Sequence, residues 1–489
     1  MAENTFHIIN QEKTVATAGD WNNPAWERLW LYNLHYFDDL NCSNNAERHQ
    51  WHVELIERWI DENRPGHGTG WEPYPISRRV VNWIKWSLNG NTLSPVAEHS
   101  LAISTRFLSK KLEYHILANH LLANAKALIF AGLYFGGDEA RTWFQTGLRI
   151  LGREISEQIL PDGGHFERSP MYHALILEDL LDLINLYNCY GKEPDPVLID
   201  AVKNMQRWLL EMCHPDGGIS FFNDSTHNVA LKPHDLYGYS ERLGIRTAEA
   251  PKAPLVRLSE SGYVRAQIGN STLLADLGPI GPDYQPGHAH ADTLSFEFSI
   301  GRQRVLVNSG TSTYTAGEER LRQRGSAAHN TVLVDGENSS EVWDSFRVAR
   351  RAKVRDIITN MGRRTVSLSG CHDGFKHLSG SPVHYRSWYY GRRRLIISDS
   401  ISGRGLHCIE AWFHLHPDIS ILRTVEKQVV LTVPHFTSSI LIDHFGPGNL
   451  DVVDSTYHPG FGVSMPGKSI VYRLHGKLPA QLKTYIHWK

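Results

Sequence analysis

The chain has 489 residues, with 50 Lys+Arg against 52 Asp+Glu for a formal charge of −2, and hydrophobic residues make up 41% of it. That balance supplies a sizeable core and excludes a disordered chain, a collagen and a coiled coil, while the neutral charge argues against a general nucleic-acid binder, which carries a basic excess. Five cysteines without CxxC spacing argue against a disulfide framework and against a cysteine zinc site.

Met1 to Gly19 shows no basic segment followed by an apolar run, so no signal peptide is expected. The chain reads as cytoplasmic as written, and as periplasmic or secreted if a leader was removed. No stretch of about 18 apolar residues predicts a membrane span. From Pro24 to about Leu243 the pattern is helical. Leu29, Leu31, Leu34, Tyr36 and Phe37 open an apolar-rich segment, and Val53, Ile56, Trp59 and Ile60 follow at spacings of three and four. Gly68-Thr69-Gly70-Trp71-Glu72-Pro73-Tyr74 has two glycines but no Gly-Lys-Ser/Thr and no strand before it, which excludes a nucleotide loop. It reads as an aromatic loop in which Trp71 and Tyr74 stack on sugars, with Arg78 and Arg79 near acidic groups, or else as a packed loop before a helix.

Helices are expected at Val80 to Leu88, Ile116 to Phe135, Glu139 to Leu160, Tyr172 to Tyr190 and Pro196 to Met212, separated by short Gly/Pro turns as in antiparallel pairs. Asn119 and His120 project about 100° apart on their helix, with Asn124 one turn further on. Polar groups in an apolar helix are costly to bury unless paired, so they serve either a site or helix packing. Pro161-Asp162-Gly163-Gly164 recurs as Pro215-Asp216-Gly217-Gly218, an offset of 216 − 162 = 54 that fits one helical hairpin and favours a repeat. After the first of these turns comes His165-Phe166-Glu167-Arg168-Ser169-Pro170-Met171-Tyr172-His173. Pro170 suits a first helical turn, which places Tyr172 and His173 at the helix start, as proton-transfer groups or as an aromatic cap.

Ala248 to Pro254 reads as a linker, dividing a helical domain 1–250 from a strand domain 251–489. Short strands are expected at Tyr263–Ile268, Thr272–Asp276, Leu294–Ile300, Arg304–Val307, Thr331–Val334, Leu395–Ser398, Val429–Val433 and Ser439–Ile442, with Gly/Pro/Asn turns, which predicts an antiparallel sandwich. Helices followed by strands, without alternation, argue against a βαβ fold. Gly287-His288-Ala289-His290-Ala291-Asp292 is the most specific cluster. His-x-His on a strand sends both rings to one face, where they share a metal or divide into ligand and catalyst, and His329-Asn330 follows downstream. The runs Arg347, Arg350, Arg351 and Arg392-Arg393-Arg394 meet polyanions or form a solvated face. The 27 His and the 14 Trp, 19 Tyr and 17 Phe fit carbohydrate chemistry, although ordinary core use accounts for most of them.

Together these segments resemble the heparinase II/III-like polysaccharide lyases. The resemblance runs from Leu29-Trp30-Leu31-Tyr32-Asn33-Leu34-His35-Tyr36-Phe37 through Asn119-His120, Arg168 to His173, Gly287 to Asp292 and Ala328-His329-Asn330-Thr331-Val332 to Glu410-Ala411-Trp412-Phe413-His414. It implies an N-terminal incomplete α/α toroid followed by a C-terminal antiparallel β-sandwich, a multidomain α+β chain. It also implies β-elimination at uronic-acid residues of an acidic polysaccharide, glycosaminoglycan-like first and alginate-like second. Under it Asn119 and His120 hold the uronate carboxylate, with His120 a base for one C5 epimer. Tyr172 is the main proton-transfer group, His288 assists, and Tyr314 is a second tyrosine. Trp71, Tyr74, Arg79, Asn124, Arg168 and His173 are the substrate-contact candidates. The resemblance further implies one structural divalent metal, zinc or manganese, on His290, position 308 and His329. Asn308 stands where the family usually has Asp, and an amide binds zinc poorly beside a carboxylate. A glycoside hydrolase using Glu167, Asp162, Asp216 or Asp224 and a non-catalytic glycan-binding protein are the rival readings. Neither a nucleic acid nor a membrane is expected as partner, and oligomeric state is not legible.

Overall fold

A computed structural model describes residues 4–246, 253–434 and 439–488. Helices occupy the N-terminal part: α1 (Arg28–Leu34), α2 (His49–Glu62), α3 (Pro73–Leu88), α4 (Pro95–Ser109), α5 (Ala118–Tyr134), α6 (Gly137–Gln158), α7 (Pro170–Cys189), α8 (Pro196–Glu211) and α9 (Pro233–Arg242). Five of them, α3, α4, α7, α8 and α9, start on proline, whose fixed φ and missing N–H suit the first turn. Ser94 adds a side-chain cap to α4, accepting the Ala97 N–H at 3.3 Å. The proline also explains why α3 starts at Pro73, seven residues before the expected Val80. No helix among the described residues is long and apolar enough to cross a membrane.

By packing, the chain divides into one compact unit of Met1–Gln158 with Asp179–Ala201 and another of Ile159–Glu178 with Val202–Lys489. The expected linker at residues 248–254 and the boundary at 250/251 fall largely on positions 247–252, which lie outside the described residues.

The first unit is built on indoles and small residues. Trp59, Trp71 and Trp83 are buried against one another. Gly132 and Gly147 bring α5 and α6 together: a Cβ at Gly132 would lie 2.7 Å from the Phe144 backbone N, and one at Gly147 2.8 Å from the Ala125 carbonyl O. Lys126 is buried with Asp179 at 2.7 Å and Asp182 at 2.6 Å, and Lys85 also reaches Asp182 at 3.0 Å.

In the second unit all the sheets are antiparallel, as the strand lengths and turns predict. An eight-stranded sheet runs in the order Val354–Met361, Thr365–His372, Val383–Gly391, Arg394–Ser402, Ala480–Trp488, Ile440–Phe445, Gln428–Thr432 and Ser420–Val425. Beside it are a four-stranded sheet (Asn449–Tyr457, Met465–Lys477, Leu406–His414, Val332–Val334) and a five-stranded one from Leu255–Leu258 to Gln303–Leu306. Their inner faces share one core, in which Phe296 meets Trp388 and Phe413, and Phe298 meets Trp488.

The two Pro-Asp-Gly-Gly turns of this unit repeat bond for bond. Gly163 and Gly217 have φ near +90°, the left-handed region that favours glycine. Asp162 Oδ1 accepts the Gly164 N–H at 3.0 Å, and Asp216 Oδ1 accepts that of Gly218 at 2.8 Å. The Leu160 and His214 N–H groups donate to the Gly164 and Gly218 carbonyls at 2.8 and 2.9 Å. The second carboxylate oxygen ties each turn to a strand segment: Asp162 Oδ2 accepts the Ser261 N–H at 2.7 Å, and Asp216 Oδ2 accepts Arg304 Nε at 2.7 Å.

Candidate active site

The first Pro-Asp-Gly-Gly turn leads into the segment that starts α7, and Tyr172 sits in that helix's first turn, 8% exposed. His288 lies on a loop and not on a strand, so the two rings of the His-x-His segment go separate ways. The His288 ring stacks on Tyr172 with centroids 3.7 Å apart and planes 29° apart. The His290 ring turns to His329 instead.

Asp224 organises the cluster. Its Oδ2 accepts the Nδ1–H of His288 at 2.7 Å and the hydroxyl of Tyr314 at 2.8 Å. The Glu167 carboxylate lies 3.4 Å from His288 Nε2. Burial works against a charged His288, but the carboxylates of Asp224 and Glu167 outweigh it, so its pKa is raised and the imidazolium is favoured. Burial and then Asp224 push the Tyr314 phenol well above its ordinary value, which keeps it protonated. The Arg320 guanidinium lies 4.8 Å over the Tyr314 ring and 3.8 Å from Asp224.

Tyr314 has one proton and gives it to Asp224. At the 3.2 Å contact between the two phenols, Tyr172 is therefore the donor and the Tyr314 oxygen the acceptor. The cluster thus holds a polarised chain, Tyr172 to Tyr314 to Asp224, beside the His288 ring braced by two carboxylates. Such a chain can take up or release a proton at the Tyr172 oxygen while neighbouring charge compensates.

In the helical unit, α5 begins one residue after Leu117, and Leu117 and Ala118 have φ of +65° and +51°. Left-handed backbone at two consecutive non-glycine residues is strain, held here by the Gln158 amide donating to the Ala118 carbonyl at 3.0 Å. Asn119 is 6% exposed. His120 is half-buried, with Nδ1 at 2.9 Å from Glu113 Oε1 and its ring 4.4 Å from Tyr74. Glu113 also takes the Asn124 amide at 2.9 Å, and Asn124 donates to Ser77 at 3.0 Å. Asn124 is therefore a buried brace of this corner.

Four more of the expected substrate contacts prove to be packing residues. Trp71 is buried against Trp59 and donates to the Asn63 carbonyl. Arg79 lies 3.9 Å over the Trp59 ring and donates to the Gly70 carbonyl at 2.8 Å, while its neighbour Arg78 keeps partial exposure beside Asp38. Arg168, at φ +60°, donates through Nε to the Ser261 carbonyl at 3.0 Å. His173 is buried on Trp208 and donates to the Met205 carbonyl at 2.9 Å. Of the carboxylates weighed for a hydrolase, Asp162 and Asp216 serve the two turns, which leaves Asp224 and Glu167 around His288.

The residues expected to hold a metal do not fit one. The Gly325 carbonyl accepts the Nδ1–H of His329 at 2.8 Å, leaving His329 Nε2 to accept the Nδ1–H of His290 at 3.2 Å. His290 Nε2 in turn accepts from Arg320 at 3.4 Å. A metal on His290 Nδ1 would need the ring proton on Nε2, facing a guanidinium that only donates. The third position, Asn308, is a neutral amide whose Oδ1 accepts the Asn330 N–H at 3.2 Å. Among the described residues no group of three His, Cys, Asp or Glu is arranged to hold a metal.

Arg320 is the site residue that sequence patterns did not place, and Asp224 and Glu167 entered there only as carboxylates of the rival hydrolase reading. The signal for Asp224 was its neighbourhood, since Asp224 follows the second Pro-Asp-Gly-Gly turn by six residues, as Pro170 at the start of α7 follows the first.

Comparison with known proteins agrees with the fold. The chain matches the heparinase II/III N-terminus over residues 44–237 and the heparinase II/III-like C-terminal domain over 250–489. It is 24% identical over 410 residues to a heparin-sulfate lyase of Bacteroides stercoris, covering 77% of this chain and 58% of that one. It is also 24% identical over 430 residues to FtsZ-localized protein C of Caulobacter vibrioides, covering 80% and 70%. Heparan sulfate lyase HepC of Pedobacter heparinus, in a mutant crystal structure, superposes with a TM-score of 0.68 at 18% identity, covering 99% of this chain and 81% of that one. The chain spans only 44% to 58% of the length of the heparin-sulfate lyases it matches. With both halves matched in order, and with its helices followed by antiparallel sheets, the chain belongs to the heparinase II/III family.

Proposed function

We propose that the chain is a polysaccharide lyase that cleaves a uronate-containing polymer by β-elimination, glycosaminoglycan-like in the first instance. The observation that carries this reading is the Tyr172–Tyr314–Asp224 chain stacked against His288. Elimination needs the weakly acidic C5 proton removed beside a carboxylate and the O4-linked sugar expelled. In the proposed reaction Tyr172 gives its own proton to solvent and reacts as the phenolate: its oxygen takes the C5 proton, becoming the phenol, and passes that proton to the leaving oxygen, which restores the phenolate. Tyr314, freed to turn its hydroxyl toward Tyr172, stabilises the phenolate before the first transfer and after the second. The His288 imidazolium supplies the positive charge that opposes charge building up on the substrate. Asn119 and His120 are assigned to the uronate carboxylate on family resemblance alone. No step runs through a metal.

Incubation with heparosan, heparan sulfate, hyaluronan, chondroitin, dermatan and alginate, followed by the ultraviolet absorbance of unsaturated uronate, tests the proposal. A rise that Tyr172→Phe abolishes supports it. New reducing ends without the absorbance would make the chain a hydrolase. A second reading, a non-catalytic glycan-binding protein, has one observation behind it: FtsZ-localized protein C is as similar to this chain as the lyases are, and its name describes a location, not a reaction. That reading predicts polymer binding with neither product.

A further inference from the structure

The eight-stranded sheet has an inner face in the core, where Val366, Leu368, Trp388, Leu395, Ile397 and Ile486 are buried. The alternate residues form its outer face, and there the sequence places tyrosine and serine. Tyr385 and Tyr389 are 37% and 38% exposed. The register sets Tyr389 opposite Ile396 and Ile396 opposite Tyr485, and the Tyr485 ring lies 4.8 Å from the exposed Phe445. Ser367 stands opposite Tyr389, and Ser369, Ser387 and Ser398 line up in the neighbouring row. A flat sheet face with separated rings and small hydroxyls suits a sugar, which stacks its apolar side on a ring and bonds through its edge.

One end of this face is strongly basic. Thr365 pairs with Gly391 and Gly391 with Arg394, so the turns at 362–364 and 392–393 are neighbours about 5 Å apart. They carry Arg363, Arg364, Arg392 and Arg393, and Arg394 opens the next strand, its guanidinium 5.3 Å over the Tyr389 ring. All five are exposed, neither turn holds a carboxylate, and among the described residues none of the five forms an ion pair. On the same face Asp443, which the register sets opposite Tyr485, is engaged by Gln428 at 2.6 Å and His487 at 2.9 Å. On a chain of net charge −2, this end is a local excess of five positive charges.

We propose that this outer face is a second binding surface, which takes an acidic polysaccharide separately from the Tyr172–His288 site. The guanidinium forks bind carboxylate or sulfate in pairs of hydrogen bonds, and the tyrosine row carries the sugar rings between them. The choice of a polysaccharide rests on the function proposed above, and the row of upright rings agrees with it, because duplex nucleic acid offers no ring faces to such a row.

The test is affinity electrophoresis of the full chain carrying Tyr172→Phe, in gels containing heparosan, heparan sulfate or single-stranded DNA. The expected result is retardation by a polysaccharide that falls about tenfold when Arg363, Arg364, Arg392 and Arg393 are all changed to Gln, and that also falls with Tyr389→Ala alone, with unchanged thermal melting. Equal retardation of parent and variants overturns the proposal, and so does stronger retardation by the DNA. Catalysis is read apart, on chains with Tyr172 intact. Binding that follows the arginines in a chain without lyase activity keeps this surface and removes the catalytic reading; activity with arginine-independent binding does the reverse.

Discussion

Tyr172 and His288 lie face to face with ring centroids 3.7 Å apart, although 116 positions separate them (288 − 172 = 116). The phenol oxygen is thereby fixed beside a ring whose charged form two carboxylates favour. Tyr172→Phe keeps the stack and removes only the oxygen. It is expected to lower the rate of uronate elimination by about 10²–10⁴-fold while the melting temperature stays unchanged, as read by ultraviolet absorbance and calorimetry.

Asp224 holds His288 and Tyr314 through a single oxygen. Asp224→Asn removes the charge that favours the imidazolium and places an amide where two donors converge. A fall of about a hundredfold in kcat, with KM little changed, is expected in steady-state kinetics. A change confined to KM would mean that Asp224 serves binding and not proton transfer.

The helices, their proline starts and the alternating strands were legible because they depend on neighbours within a few residues. The 54-residue echo was legible for the same reason, since each Pro-Asp-Gly-Gly turn bonds within itself. Tyr172 and His288 stood out through local motifs. Asp224 and Arg320 did not, because what they do depends on rings brought from elsewhere in the chain. Trp71 and Arg79 read as groove residues for a related reason: composition does not distinguish an indole packed on Trp59 from one facing a sugar. His288-Ala289-His290 was read as a strand, but Leu294, at φ +60°, turns the backbone before the strand Phe296–Ile300 begins.

Lys126 is buried between Asp179 and Asp182 on α7. Lys126→Met removes the cation and leaves the two carboxylates in the interior. A loss of about 3–5 kcal/mol in urea unfolding is expected, larger than for removal of an exposed pair. Changing Lys126, Asp179 and Asp182 together to apolar residues should recover most of it.

Acid should unfold the sandwich through Asp399. Burial raises its pKa, but Arg386, at 2.6 Å, and His384, at 2.7 Å, outweigh that and hold it at about 2. Because the folded value lies below the unfolded one, the stabilisation is complete above about pH 4 and disappears as pH falls toward 2, about 2 kcal/mol in all. His384 is lowered by burial, so its loss has the same sign and begins from the ordinary histidine range downward. Melting followed between pH 7 and pH 3 should show Asp399→Asn less stable than the parent at pH 7 and the difference closing in acid.

The hydrogen-bonded order from Arg320 through His290 and His329 to Gly325 engages every ring nitrogen of the two histidines. Dialysis against a chelator should leave both melting temperature and lyase rate unchanged, with well under one divalent ion per chain by elemental analysis. Asn308→Asp combined with Arg320→Met should create uptake, because that pair of changes supplies a carboxylate and frees His290 to shift its proton.

Asp162 reaches across the chain to Ser261, 99 positions later. During synthesis the helices leave the ribosome first, yet the turn that presents Tyr172 gains its anchor only after residue 261 has emerged. Tyr172 is thus set in place by a late arrival, and a nascent chain halted before Ser261 should show its helices by circular dichroism and slow amide exchange along them, with rapid exchange at Gly164 and Arg168.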